Sequence, residues 1–293
     1  MKRFLTLLTS AFLLLSMVSC AVMSAPKEEQ KDSEMSLVST SVAICRILDE
    51  LGYDNVIGVP ESSQELPERY KNVMTVGAPM TPDYEKIKSL SPDMVLTPKS
   101  LEGTLGQDFD NAGLNSAFLD LSSVEGMYKA ISSLGRLLKC EDRAAAMVAD
   151  YENYMSSYKA QSGDAPSVLL LMAFPDGFYL VATEKSYVGG LVKLAGGVNV
   201  YENYKGDENG FVNINPEDVS TKKPDIVMVF AHYAEADAFA YMKKEFQTGA
   251  AWQRNDAIKN GRVSYLPSEY FGMSATLSWK DGLDYLKPAL FGE

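Results

Sequence analysis

Histidine is almost missing from this chain of 293 residues; the only one is His232. A zinc or manganese centre built on several imidazoles is therefore hard to assemble. Cysteine is nearly as scarce. Cys20, Cys45 and Cys140 have no CxxC spacing and too low a density for a disulfide scaffold, which excludes a zinc finger and a thiol redox motif. No GxSxG, Walker A, HExxH or Rossmann glycine fingerprint occurs. Gly189-Gly190 and Gly196-Gly197 flank the helical segment Leu191 to Ala195 without forming a phosphate loop. Positive charge is in deficit, with 27 basic against 39 acidic residues and a net charge of -12. Such a chain repels phosphate backbones, so no nucleic acid partner is expected. Sites made only of carboxylates stay open, because 39 acidic residues allow many chance pairs.

The apolar run Phe4 to Leu15 is too short for the ~20 residues that span a bilayer. It follows Lys2 and Arg3 and leads to Met17-Val18-Ser19-Cys20, which reads as an export signal over residues 1–19 ending in a bacterial lipobox, with Met17 in place of the more usual Leu. Cleavage there would make Cys20 the lipidated first residue; ordinary cleavage nearby would leave it a free thiol. Loss of residues 1–19 takes the basic count to 25 against 39 acidic, a net charge of -14. Residues 20–35 are rich in charge and poor in large apolar groups, as a solvated tether is. The expectation is a globular protein on the extracellular face of the cell membrane, held only through a lipid anchor.

With 46% hydrophobic residues the remainder can bury a large core, and its length points to two lobes. An internal echo supports this. Glu85-Lys-Ile-Lys-Ser-Leu-Ser-Pro92-Asp93 leads into Met94-Val-Leu-Thr97, and Glu217-Asp-Val-Ser-Thr-Lys-Lys-Pro224-Asp225 leads into Ile226-Val-Met-Val-Phe230. In each, a short helix ends before a proline and a buried strand follows. Further strands are expected at Asn55 to Val59, Ala117 to Leu119, Val168 to Met172 and Val263 to Leu266, with helical patterns between most of them. Phe178 to Val181 should pair back on the preceding strand across the turn Pro175-Asp176-Gly177. Mostly parallel sheets with crossover helices follow.

Glu141 to Gln161 has no Gly or Pro and sets Ala144, Val148, Tyr151, Met155 and Tyr158 on one helical face. At ~1.5 Å per residue this helix would extend ~30 Å. It reads either as a surface helix of one lobe or, from its place between the two units, as a spine joining them. The expected organisation is an N-terminal α/β lobe at 36–140, a backbone helix at 141–161 and a C-terminal α/β lobe at 162–293.

The signal and lipobox, the paired Glu-x6-Pro-Asp units and the central helix resemble the helical-backbone (class III) periplasmic binding proteins, which serve importers of haem, siderophores and cobalamin. Three stretches resemble, within that class, the haem-binding lipoproteins of Gram-positive iron importers, the IsdE type: Tyr70 to Asp83 with its Val76-Gly-Ala-Pro-Met80 motif, Tyr179 to Gly197, and Phe271-Gly-Met-Ser-Ala275. The similarity runs from about Val38 to the C-terminus. It implies two Rossmann-like lobes joined by one long helix, haem as the transported ligand, and an ABC permease and ATPase complex as partner. Surface haem donors and a monomeric state fit the same picture.

The resemblance also implies two axial ligands to the haem iron, Met80 and His232. Thioether and neutral imidazole are an established axial pair, and neither must ionise. His232 follows a strand end, where open α/β sheets collect ligands. By residue type alone, a lone histidine is as readily a surface group, and Met80 is one of 14 methionines, most of them core filler. Phe174, Tyr179, Tyr187, Phe271 and Met273 are candidate walls for the porphyrin, and each is also an ordinary core residue by type. Thr40 and Ser41 precede a helix expected at Val42 to Leu51, whose free N–H groups suit a propionate; alternatively one of them simply caps it. The chain departs from the family at Glu61-Ser-Ser-Gln64, where a basic residue is usual. Glu85 and Glu217 hold equivalent places in the two units, and in the class such carboxylates meet permease arginines; their plain reading is solvated helix charge.

The rival readings are a siderophore or cobalamin receptor of the same architecture, in which Met80 and His232 are incidental, and a secreted haem-degrading enzyme.

Overall fold

The computed structural model describes residues 34–159, 164–204, 206–207 and 209–292. The expected signal, the lipidation site Cys20, nearly all of the tether and Gln161 lie outside them. In the first half of the chain β1 (Leu37–Ser39), α1 (Val42–Glu50) and β2 (Val56–Gly58) precede a small hairpin, β3 (Gly77–Ala78) and β4 (Thr81–Pro82). Then come α2 (Tyr84–Leu90), β5 (Met94–Pro98), α3 (Glu102–Ala112), β6 (Ser116–Leu119), α4 (Val124–Leu137) and α5 (Glu141–Ser157). The second half runs β7 (Ser167–Ala173), β8 (Tyr179–Ala182), α6 (Tyr187–Ala195), β9 (Val198–Asn199), β10 (Phe211–Val212) and α7 (Pro216–Thr221). It continues with β11 (Ile226–Ala231), α8 (Glu235–Thr248), α9 (Asp256–Lys259), β12 (Val263–Leu266) and α10 (Trp279–Phe291). No helix among the described residues is long and apolar enough to cross a membrane.

Apart from the β3–β4 hairpin, the described strands form two separate sheets. The first is parallel in the order β2-β1-β5-β6. The second has the order β10-β8-β7-β11-β12, with β9 also on β7; β7, β9, β11 and β12 are parallel, and β8 is antiparallel to its neighbours. This is the mixed, mostly parallel pattern expected from the sequence, with the hairpin after Pro175-Asp176-Gly177 in place.

The Pro-Asp echo has a physical cause. In each half a side-chain cap starts the short helix: Asp83 accepts from the Lys86 amide and Asn215 from the Asp218 amide, both at 2.9 Å. After the proline, the aspartate clamps the serine at the head of the neighbouring parallel strand. Asp93 Oδ2 accepts from the Ser36 amide at 2.7 Å and its hydroxyl at 2.8 Å; Asp225 Oδ2 accepts from the Ser167 amide at 2.8 Å and its hydroxyl at 2.7 Å. These bonds hold both carboxyls below the usual carboxylate range. A depressed native value stabilises the fold above the unfolded value of ~4, and the contribution is lost as pH falls through the native one. The variant Ser36→Ala/Ser167→Ala should therefore melt earlier than the parent at pH 7, and the gap should close as pH falls through the depressed native values. A gap that does not depend on pH would show that the clamps act by shape and not by charge.

α5 ends at Ser157, with Tyr158 extended, so the central helix is shorter than the 141–161 expected; its 17 residues span about 25 Å. Its expected face is the one that packs: Ala144 is buried, and Val148, Tyr151, Met155 and Tyr158 lie against the main core. That core is not divided by lobe. One cluster runs from Leu37 and Leu96 of the first sheet and Ile44 of α1 through Tyr128 and Ile131 of α4 to Met172, Met228 and Phe230 of the second sheet, and on to Trp279 and Leu283 of α10. Trp279 Nε1 donates to the Tyr128 hydroxyl at 3.2 Å, Tyr128 stacks on Tyr151 at 4.3 Å, and Trp279 stands edge-on to Tyr151 and Tyr154 at 5.9 and 5.1 Å. The Ala275 amide donates to the Leu121 carbonyl at 2.7 Å, and Lys280 pairs with Asp150 at 2.6 Å. The two halves are thus joined by a packed seam as well as by the central helix. Cys45 and Cys140 are both free; Cys45 is buried, which pushes its thiol up to about 11.

Candidate functional site

All four strands of the first sheet end on the same side, as parallel strands joined by crossover helices must. Beyond β1 stand Thr40 and Ser41, beyond β2 the β3–β4 hairpin, beyond β5 Lys99 and Ser100, and beyond β6 Asp120 to Ser122. The hairpin is held by backbone bonds from Glu61 to the Gly77 carbonyl and from Asp83 to the Val76 carbonyl, both at 2.8 Å. Its first strand needs glycine at position 77, where φ is +92° and a Cβ would lie 2.9 Å from the Asp83 nitrogen. Ala78 pairs with Thr81, so Pro79 and Met80 are the two residues of the turn itself. Met80 is 47% exposed there. A thioether presented on a tight, anchored turn is not core filler.

In the second sheet β7 and β11 end side by side, Ala173 opposite Ala231. His232 follows directly, and its amide donates to the Ala173 carbonyl at 2.9 Å. Its ring lies 4.9 Å from that of Phe174 and 5.5 Å from that of Tyr233. Partial burial holds the imidazole's pKa below its ordinary value, because the cation would be less well solvated there than in open water. The neutral ring, with a free lone pair on nitrogen, is the form that binds a metal.

Between the halves lies a cleft of about 400 Å³, lined from the first by Pro98 to Ser100 and Asp120 to Ser122, and from the second by Asn209, Met273 and Ser274. Asn209 Nδ2 reaches the Ser100 carbonyl at 3.5 Å across it. Partial burial raises the Asp120 carboxyl, but hydrogen bonds from the Ser122 hydroxyl and amide, with Lys99 nearby, outweigh this and leave it below its usual value.

The expected pocket residues fall into two groups. Phe174 stands beside His232, Met273 lines the cleft, and Thr40 and Ser41 sit at the head of α1. Ser41 is the N-cap by position but makes no capping bond through its side chain, and Thr40 bonds the Thr97 hydroxyl at 3.1 Å. Three others take core places and supply no cleft wall. Tyr187 and Phe271 are 1% and 0% exposed, and Tyr187 donates its hydroxyl to the Tyr270 carbonyl at 3.0 Å. Tyr179 pairs with Ala173 on β8, which turns it to the outer face of the sheet, against Trp252 at 5.6 Å. Two aromatic residues were not singled out from sequence: Phe178 and Tyr233, both exposed beside Phe174. The signal was present in their places, one flanking a proline-glycine turn and the other adjoining the sole histidine.

Glu85 and Glu217 are both exposed and each occupies the second position of its helix, after the matching caps Asp83 and Asn215. Glu85 pairs with Lys88 at 3.4 Å. Their equivalence in the sequence echo is thus an equivalence in structure.

Residues 37–270 match the family model described as periplasmic binding protein. The chain is 33% identical over 282 residues to the high-affinity heme uptake system protein IsdE of Staphylococcus aureus strain MRSA252, covering 94% of this chain and 92% of that protein. An ABC transporter substrate-binding protein from Listeria monocytogenes EGD-e has the same fold with a TM-score of 0.77 at 37% identity, over 89% of this chain and 100% of its own. The crystal structure of S. aureus IsdE complexed with heme gives a TM-score of 0.77 at 32% identity, over 88% of this chain and 99% of its own. These relatives are transport binding proteins, not enzymes.

Proposed function

The chain belongs to the periplasmic binding protein family, and from that premise we propose that it captures haem between its two lobes and hands it to an ABC permease. Met80 and His232 are the axial ligands in this reading. The observation that carries it is the setting of the one histidine: a partly buried, neutral imidazole among aromatic rings at the strand ends of one sheet, while an exposed thioether is presented beyond the strand ends of the other. Haem iron accepts this pair without ionising either group. Because the two donors come from different lobes, full ligation reports closure of the protein on its cargo. The free N–H groups at the head of α1, beside Thr40 and Ser41, are suited to a propionate.

Residues 36–140 and 162–293 act as the two gripping lobes around the central helix, α5. Lipidation at Cys20 holds the protein, as a monomer, at the extracellular face of the membrane, where surface proteins supply haem. Glu85 and Glu217 dock the permease from matching helix starts, which suits a partner with a two-fold arrangement of cations.

Mixing the purified protein with haemin should give a sharp, red-shifted Soret band and the visible bands of six-coordinate, low-spin iron. A broad spectrum like that of free haemin would contradict the reading. Met80→Ala should alter the spectrum most in the reduced state, whose softer iron favours sulfur. Met273, in the cleft, is the methionine placed to substitute for it, so Met80→Ala/Met273→Ala should remove any remaining thioether signature.

A further inference from the structure

The surroundings of His232 hold more aromatic surface than a metal bond requires. Phe174 is the hub of four rings, with centroids 5.4 Å from Phe178, 4.9 Å from His232 and 6.1 Å from Tyr233. The hub is partly buried against the main core, whereas Phe178 and Tyr233 are 43% and 53% exposed. Aromatic side chains left this far in water forfeit the burial that usually repays their placement.

Neither exposed ring is on a slack segment. The Phe174 amide donates to the Phe178 carbonyl at 2.9 Å and closes the turn between them; its Gly177 has a φ of +93° and no room for a Cβ beside the Tyr241 ring. Tyr233 precedes Ala234, a non-glycine residue at a φ of +45°, so the chain reverses immediately after it. A left-handed alanine is disfavoured in isolation and persists only where its surroundings fix the backbone. Both rings are therefore presented from fixed backbone beside the hub.

We propose that Phe178 and Tyr233, backed by Phe174, clasp the flat face of a tetrapyrrole independently of any metal, so that the second lobe takes a porphyrin whether or not it holds iron. The inference rests on the haem reading above and adds to it. Offset or edge-on contact between aromatic faces needs only a planar π-system, and the His232–iron bond adds to that contact without replacing it. The clasp also sets specificity. A hydroxamate siderophore has no extended flat face and gains little from these rings, whereas metal-free and metal-substituted porphyrins gain as much as haem.

The test is the binding of protoporphyrin IX, carrying no metal, to the full chain, followed by quenching of protein fluorescence, with haemin titrated in parallel. The parent should bind both. Phe178→Ala/Tyr233→Ala should lose roughly 10- to 100-fold in protoporphyrin affinity, while Phe178→Tyr/Tyr233→Phe, which keeps both rings, should restore it. His232→Ala should lose the low-spin haem spectrum and still take up protoporphyrin. Haemin binding without protoporphyrin binding, or a double alanine variant as tight as the parent, would overturn the clasp and leave the haem reading standing. Failure to bind either porphyrin would overturn both.

Discussion

Replacing His232 by alanine should weaken haem retention at least ~100-fold, because the loss of a ligand should exceed the 10–100-fold cost of losing an outer-shell partner. That ratio corresponds to about 2.8 kcal/mol or more of binding free energy. No second histidine exists to take over. The same residue sets the response to acid. A protonated imidazole cannot donate to iron, so haem is held while the ring is neutral and released as pH falls. Burial already lowers the ring's proton affinity, and iron competes with the proton for the same nitrogen. Release should therefore have its midpoint below the ordinary imidazole value of ~6.5. A dialysis or apomyoglobin-transfer assay across pH reads both effects. Unchanged retention in His232→Ala would remove the residue from the ligand set, and a release midpoint above ~6.5 would contradict the partly buried, neutral imidazole.

Trp279→Ala should cause the largest loss of fold stability, roughly 3–5 kcal/mol as for other buried tryptophans cut back to alanine. Trp279 is fully buried in the core shared by both halves and packs edge-on against Tyr151 and Tyr154 of the central helix. In a domain of this size each kcal/mol lowers the melting temperature by about 2–4 °C, so a fall on the order of 10 °C is expected by circular dichroism. Trp279→Phe keeps a ring in the seam but gives up the hydrogen bond to Tyr128, and should cost only about 1 kcal/mol. A shift of less than ~2 °C for the alanine variant would mean that the halves are held by the central helix alone.

Much of this architecture was legible because its determinants are local. Proline ends a helix wherever it stands, which made the repeated Pro-Asp units readable, and the structure adds the reason for the aspartate: it clamps Ser36 in one half and Ser167 in the other. The runs Met94 to Thr97 and Ile226 to Phe230 became β5 and β11 because β-branched and apolar residues fit a sheet covered on both faces. The parity of a short strand was not legible. Tyr179 was expected on the cleft wall, but its register on β8 opposite Ala173 sets it against Trp252 on the other face, and a single step along so short a strand reverses that face. Tyr187 and Phe271 were indistinguishable by type from wall residues; long-range packing buried them, and no sequence window contains it. The seam through Trp279 was hidden for the same reason, since Tyr128 is 151 positions away from it. Strands β3 and β4 have two residues each and depend on a left-handed glycine more than on an apolar pattern, so the hairpin that carries Met80 had no periodic signal.

The account's central claim concerns the two axial bonds of the bound iron, and X-ray absorption at the iron edge of the haem-loaded protein tests it most directly. It predicts one sulfur and one imidazole in the coordination shell, with the sulfur lost in Met80→Ala/Met273→Ala and the imidazole lost in His232→Ala. An iron coordinated only by nitrogen and oxygen in the parent, or one whose imidazole persists after His232 is removed, would contradict it.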